Sequence, residues 1–522
     1  MSVVSANKND VIIIPETEIS QNSNRKNFLD YIWPVERSEL PKFLCITLLM
    51  WCILGIQNLV RAMKDSVIIT MIGTETISFL KFWGVLPAAF LISILYIKLV
   101  TVMKGESIFY LIISVFLGFF LLFAFYLFPN YKTLHLDQET ANNLVTQFPH
   151  FKWFILLLSN WSFSLFYVIA ELWPNAVFAV LFWQFVNKIT SINESRRFYP
   201  LFGLLGQTAL YFSGAFLTNL VSINRYFAEL FKLNGDASIV TIQIVISIIL
   251  ILGTTALFTF WILNHKILDI TAIEDLQFKV EKNQMSLSES LQMVAKSRYI
   301  RLIAILLICY GIAINLIEGP WKAEATKIYK TPTEFATFIG SYISYTGIVT
   351  VCFTLIGSNI VRILGWTAAA IITPLIIMMT GLAFFVISNF DSVTTLMMLS
   401  FSFNNPIALV IIVGAIQNIL GKSTKYTFFD FTKEMSYVPL NEQLKTKGKA
   451  AADMIGVKIG KSTSAFLQSM IFVILPAATY SSISMSLMFV FVMICIVWIW
   501  AVFELNKEYK KECAKHRNQK FQ

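Results

Sequence analysis

The chain has 522 residues, 56% of them hydrophobic and 15% aromatic, with 14% charged and a formal net charge of +10. Soluble domains carry about 25% charged residues, so this composition excludes a water-soluble globular protein. The positive balance is explained by membrane topology and anionic lipid, with no need of nucleic acid.

The first stretch, 1–42, is polar and lacks the apolar core of a signal peptide. Apolar runs near twenty residues, the length that crosses a bilayer as helix, then recur to the end. Six are predicted at Phe43–Val60, Phe79–Val100, Ile108–Phe128, Trp153–Asn187, Phe198–Val221 and Val240–Leu263. The fourth is overlong, and Pro174 is expected to kink or split it. Six more follow at Leu302–Ile317, Phe335–Ile356, Trp366–Ile387, Leu396–Leu420, Ala450–Leu475 and Ile483–Phe503. The expected fold is all-α and integral to the membrane. About twelve transmembrane helices form two six-helix halves, 43–263 and 299–503, in a major-facilitator-like arrangement. A charged linker, 264–298, joins the halves, and a basic tail, 504–522, closes the chain. In the linker, Ser286 and Glu289 read as a capping box opening a short amphipathic helix.

With the N-terminus inside, roughly 29 Lys and Arg fall on the cytoplasmic side and roughly 10 on the other. The inside clusters are Lys266–Arg301, Lys422–Lys449 and Lys507–Lys520. Both termini are therefore expected in the cytoplasm. Six Cys stand singly and four His are scattered, so neither disulfide nor zinc spacing appears and no cofactor or metal is implied.

Two short echoes support a duplicated chain. Asn58-Leu-Val-Arg-Ala-Met-Lys64 matches Asn315-Leu-Ile-Glu-Gly-Pro-Trp-Lys322 with one insertion, and Glu318 takes the place of Arg61. Asn193-Glu194-Ser-Arg196-Arg197 matches Asn441-Glu442-Gln-Leu-Lys445, with Lys447 and Lys449 following.

Charges at membrane depth cost about 2.5 to 3.5 kcal/mol each on insertion scales, so they persist where they have a task. Arg61, Lys64 and Asp65 close the first run, and Lys81 lies at the start of the second. Glu171, Glu318, Lys322, Lys458 and Lys461 fall within or at the rim of other runs. Snorkelling of the lysines to the interface is the plainer alternative. Clustered cations fit a polyanionic cargo, and the acids neutralise them between cargoes. Trp161, Tyr167, Trp173 and Trp183 with Asn160 and Asn187 along the fourth run offer rings and amides for a base, although Trp and Tyr also favour bilayer interfaces.

Gly421-Lys-Ser-Thr424 and Gly460-Lys-Ser-Thr463 imitate a phosphate loop, but Ile416 and Ile455 stand where its other Gly is needed. Gly456 and Gly460 instead form a small-xxx-small helix contact, with Lys461 free to reach cargo. No catalytic cluster stands out, so the chain reads as a transporter and not an enzyme.

Longer blocks carry a resemblance. Arg61-x-x-Lys64-Asp65, Ile-Gly73-Thr-Glu-x-Ile-Ser-Phe-Leu-Lys81, Ile-Ala-Glu171-Leu-Trp and Trp183-Gln-Phe-Val-Asn187-Lys-Ile-Thr resemble the non-mitochondrial ATP/ADP translocases of obligate intracellular bacteria and plastids. Arg197-Phe-Tyr-Pro-Leu-Phe-Gly203, Tyr310-Gly-Ile-Ala-Ile-Asn-Leu-Ile-Glu318 and Thr432-Lys-Glu-Met-Ser-Tyr-Val-Pro-Leu440 agree, and the rickettsial members are the most similar. The resemblance implies import of host ATP in exchange for bacterial ADP across the inner membrane, by alternating access. It places functional charges at Lys64, Glu171, Glu318 and a Lys of the eleventh run, Lys461 first, with Lys449 and Lys447 behind it. Met71, Pro174, Pro320 and Thr463-Ser464 depart from the family pattern. A same-fold carrier of GTP, CTP or UTP, with or without proton coupling, is the alternative; a sugar or peptide symporter would need fewer cations. Nucleotides and membrane lipid are the expected partners, with no obligate protein partner.

Overall fold

The structure, a computed structural model, describes residues 35–231, 236–267, 287–401, 405–440 and 444–519. Every regular element among them is helical. Among the described residues eleven helices are long and apolar enough to cross a membrane. We label these α1 Leu40–Met71, α2 Thr76–Val102, α3 Gly105–Leu127, α4 Trp161–Ile189, α5 Arg197–Thr218, α6 Ala237–Ile267, α7 Arg298–Thr326, α8 Pro332–Leu355, α9 Gly365–Asn389 and α10 Pro406–Tyr437. The next helix, α11 Lys449–Ile474, has a charged start and an apolar part, Ile459–Ile474. The last, α12, spans Tyr480–Lys515.

The helix starts follow side-chain chemistry. Ser191 and Glu194 form a capping box one turn before α5, and Thr331 and Glu334 form another at α8, followed by Pro332. Asp236 caps α6 and Asn405 caps α10 through their side-chain oxygens. Backbone stops are as specific. Gly73, at φ +142°, ends α1, and Gly365, at φ +79°, separates α8 from α9; both conformations suit glycine alone.

Three expectations change. The first run, expected to close at Arg61–Asp65, continues as α1 to Met71, so those charges lie in mid-helix. Charge does not stop a helix; Gly73 does. The overlong fourth run divides at Asn160, between a short helix Lys152–Ser159 and α4. Pro174 does not split it, because the chain widens into a π-helical stretch, Pro174–Phe182, that accommodates the missing N–H. The tenth run, expected to end at Leu420 with Lys422 opening a basic loop, continues as α10 to Tyr437. Lys422 and Lys425 are therefore on the helix. Ser286 and Asn441–Gln443 lie outside the described residues, although the helix Leu287–Lys296 after Ser286 is present.

Small residues set the closest approaches. A Cβ on Gly214 of α5 would stand 2.7 Å from the Gly340 carbonyl of α8, and one on Gly460 of α11 would stand 2.8 Å from the Ile308 carbonyl of α7. Gly456 likewise faces Leu307. The expected glycine contact of α11 is therefore real, and its partner is α7.

At one end of the molecule the two halves meet. Phe82 and Phe466 have ring centroids 4.8 Å apart, and Trp153 and Phe472 6.4 Å apart. The Tyr480 N–H donates to Glu75 Oε1 at 3.3 Å, and His150 Nδ1 donates to the Val473 carbonyl at 2.7 Å. Further along α2, Leu86–Val102 holds no buried residue. The halves are thus closed at the end bearing Glu75 and Tyr480.

Candidate functional site

α1 and α7, the helices that carry the first echo, bring their matching segments face to face. Lys64 donates to Asp65 Oδ1 at 2.7 Å, and Lys322 donates to Asp65 Oδ2 at 2.8 Å. Lys64 also pairs with Glu171 of α4 at 3.0 Å. Lys322 pairs with Glu318 one turn earlier at 3.0 Å. Glu318 takes two further cations from the other half, Lys81 at 3.3 Å and Arg61 at 3.8 Å. Lys81 donates to Asn315 Oδ1 at 2.7 Å. One chain of charge therefore runs Glu171–Lys64–Asp65–Lys322–Glu318–Lys81, crossing between halves twice. Lys64, Asp65, Glu318 and Lys322 are all buried. The Lys64 amine also lies 4.0 Å from the centre of the Tyr167 ring, a favourable cation–π contact.

This chain forms the floor of a cavity of about 710 Å³ that extends past Lys425, Asp430 and Lys461 to Lys433 and Glu434. Its lining holds eight Lys or Arg against five carboxylates, a formal excess of positive charge. Among the described residues Lys422 and Lys461 make no ion pair; Lys422 lies 4.8 Å over the Tyr342 ring. Such an excess in a low-dielectric pocket favours a multiply charged anion. A second cavity of about 330 Å³ adjoins the first and shares Arg61, Asp65, Glu318, Lys322, Lys422 and Tyr426 with it. Its remaining walls come from α1, α4, α5 and α8 and include Trp183, Phe178 and Phe202.

Of the residues expected from sequence, Arg61, Lys64, Lys81, Glu171, Glu318, Lys322 and Lys461 line the larger cavity. Lys449 does not line it, but pairs with Glu434, which does. The side chains of Lys447 and Lys458 lie outside the described residues. Asn187 accepts a 2.6 Å hydrogen bond from the Tyr199 hydroxyl, and it is Tyr199 that lines the smaller cavity. The expected row of base-binding rings breaks up. Trp161 donates to the Leu134 carbonyl, and Trp173 is fully buried with its N–H on the Ile53 carbonyl. Asn160 bonds the Leu156 carbonyl at the helix break. Trp183 is the member of the row that reaches the smaller cavity, while Tyr167 lies beneath Lys64.

Sequence reasoning leaves out Lys422, Lys425, Asp430, Lys433 and Glu434, and treats Asp65 as a rim residue. The signal for Lys422 is the Gly421-Lys-Ser-Thr424 step, which fails as a phosphate loop. It is a turn of α10 that delivers Lys422 into both cavities.

Residues 18–509 match the model of the family described as TLC ATP/ADP transporter. The ADP,ATP carrier protein 4 of Rickettsia bellii is 62% identical over 484 residues, 93% of this chain and 93% of the relative. That of Rickettsia prowazekii is 60% identical over 94% of this chain and 96% of its own length. The ADP,ATP carrier protein 3 of Rickettsia bellii is 43% identical over 93% and 97%. Among solved structures, a bacterial homologue of the iron transporter ferroportin superposes with a TM-score of 0.56 at 13% identity, covering 89% of this chain and 98% of that one. A variant of the nucleoside transporter NupG gives 0.55 at 11% identity, covering 90% and 99%; at such identities the likeness is one of fold. The chain belongs to the TLC ATP/ADP transporter family.

Proposed function

We propose that the chain is a nucleotide antiporter that brings in ATP and releases ADP by alternating access across a bacterial inner membrane. The observation that carries the reading is the bridge of Asp65 to both Lys64 and Lys322, set in a cavity with cations in excess. The family and the named relatives supply the cargo; the geometry supports how it is handled. The mouth beside Lys433 and Glu434 and both chain termini face the cytoplasm, in keeping with the excess of basic residues on that side.

ATP carries about four negative charges, which need several cations in a water-poor cavity. The phosphates take Lys64, Lys322 and Lys81 from Asp65, Glu171 and Glu318, and Lys422 and Lys461 contribute amines that break no existing pair. One polyphosphate then binds both halves and holds them in register as they rock. Without cargo the acids re-pair with the lysines across the halves, and the Asp65–Lys322 bridge anchors the empty carrier in its present form. Exchange therefore outruns net uptake. Lys449 acts at the approach through Glu434, and Asn187 acts by holding Tyr199.

Competition of labelled ATP uptake by a panel of nucleotides, in cells expressing the chain, tests the reading. ATP and ADP should compete, and Lys64→Ala should abolish uptake. Equal competition by GTP, CTP and UTP would assign a general ribonucleotide carrier instead, and uptake untouched by Lys64→Ala would sink the site.

A further inference from the structure

The smaller cavity differs in chemistry from the larger. Beyond the charges that the two share, its walls are aromatic, aliphatic and amide. Trp183 packs edge-on against Tyr199 at 5.3 Å, and Phe178 stands 6.1 Å from Trp183. Phe202, buried, completes this wall from α5. Gln57 of α1 lines the same space, and its buried carboxamide oxygen has no hydrogen-bond partner. Leaving such a group unpaired forfeits its hydration without return, so an unpartnered carboxamide oxygen in the wall of a cavity points to a hydrogen-bond donor on a ligand. Gly203 of α5 also lines it, and a Cβ there would meet nothing within 4 Å.

We propose that this lobe, between α1, α4, α5 and α8, is the nucleobase site: the base stacks on the Trp183 wall and the Gln57 amide bonds its edge. The proposal rests on nucleotide transport and assigns the two ends of the cargo to two compartments. Rings accept any base by stacking, while a carboxamide pairs donor and acceptor with the edge of a purine. Arg61 and Tyr426, common to both cavities, sit where the ribose joins the phosphates. The lobe is built largely by the first half, whereas the phosphate compartment draws lysines from both. The base therefore stays with one half as the carrier rocks.

Equilibrium binding to the full chain in lipid nanodiscs separates the compartments, with ATP and inorganic triphosphate as probes. Wild type should bind ATP at least about tenfold more tightly than triphosphate, the gain expected of one stacked base with its edge paired. Gln57→Leu and Gly203→Val should erase that advantage and leave triphosphate binding unchanged, which also reports that the variants are folded. Gly203→Ala, adding one methyl to the same open space, should reduce the advantage by a smaller factor. An unchanged ATP-to-triphosphate ratio in these variants overturns the lobe assignment, as does an equal loss of both ligands. Wild type binding neither probe overturns the nucleotide reading itself, and the lobe with it.

Discussion

Asp65 and Lys322 stand 257 positions apart in sequence and 2.8 Å apart in the molecule, a buried ion pair between the two halves. Breaking such a pair by removing one partner costs about 3 to 5 kcal/mol, because the other charge stays buried alone. Asp65→Asn leaves Lys64 and Lys322 without their shared acid, so its melting temperature in detergent should fall well below wild type and its transport should collapse. Lys322→Met should do the same, while the double variant should recover part of the lost stability. Additive losses in the double variant would show that the pair is not coupled.

Lys422 is buried with no ion pair among the described residues. A buried unpaired charge is a burden on the fold, so Lys422→Met should melt at or above the wild-type temperature. Its ATP affinity should nonetheless fall about tenfold, in line with 1.5 to 3 kcal/mol for a hydrogen bond to a charged group. A drop in both quantities would indicate that Lys422 is structural.

The closed end rests on aromatic contacts between halves, Phe82 against Phe466 among them. Replacing both with Cys, after removing the six native cysteines, and bridging them with a short bifunctional thiol reagent should lock that end shut. Transport should stop, and cleaving the bridge should restore it. Continued exchange in the bridged protein would mean that this end need not open.

Glycine spacing separates packing from cargo effects. Gly214→Val places a side chain within contact of the α8 backbone, an overpacking cost of about 1 to 3 kcal/mol. Gly118 of α3, where an added Cβ would meet nothing within 4 Å, should accept Ala without loss. Thermal melting of the two variants distinguishes them; equal behaviour would contradict the packing described between α5 and α8.

Much of the fold was readable because a bilayer permits few solutions. Apolar length alone located most of the helices. Lys64, Glu171, Glu318 and Lys322 were readable because charge inside an apolar run is costly. The ends of helices are harder to read, since polar residues resemble stops. Between Thr424 and Pro439 the sequence contains neither Gly nor Pro, so nothing in the backbone ends α10 before Tyr437, and Lys422 and Lys425 rise into the cavity. Asp65 is underweighted for the same reason: what ends α1 is Gly73. The row of rings on the fourth run is divided because residues on one helix point to several faces. The rings of Trp173 and Trp183 lie on different sides, and only the tertiary arrangement says which side is hollow.

The most direct test of the account is countertransport in proteoliposomes holding the purified chain, with labelled ATP outside and either ADP or buffer inside. The charge chain through Lys64, Asp65, Lys322 and Glu318 predicts rapid label uptake into ADP-loaded vesicles, little into buffer-loaded ones, and loss of the difference in Lys64→Ala. Equal uptake into loaded and empty vesicles, or full exchange by Lys64→Ala, would contradict it.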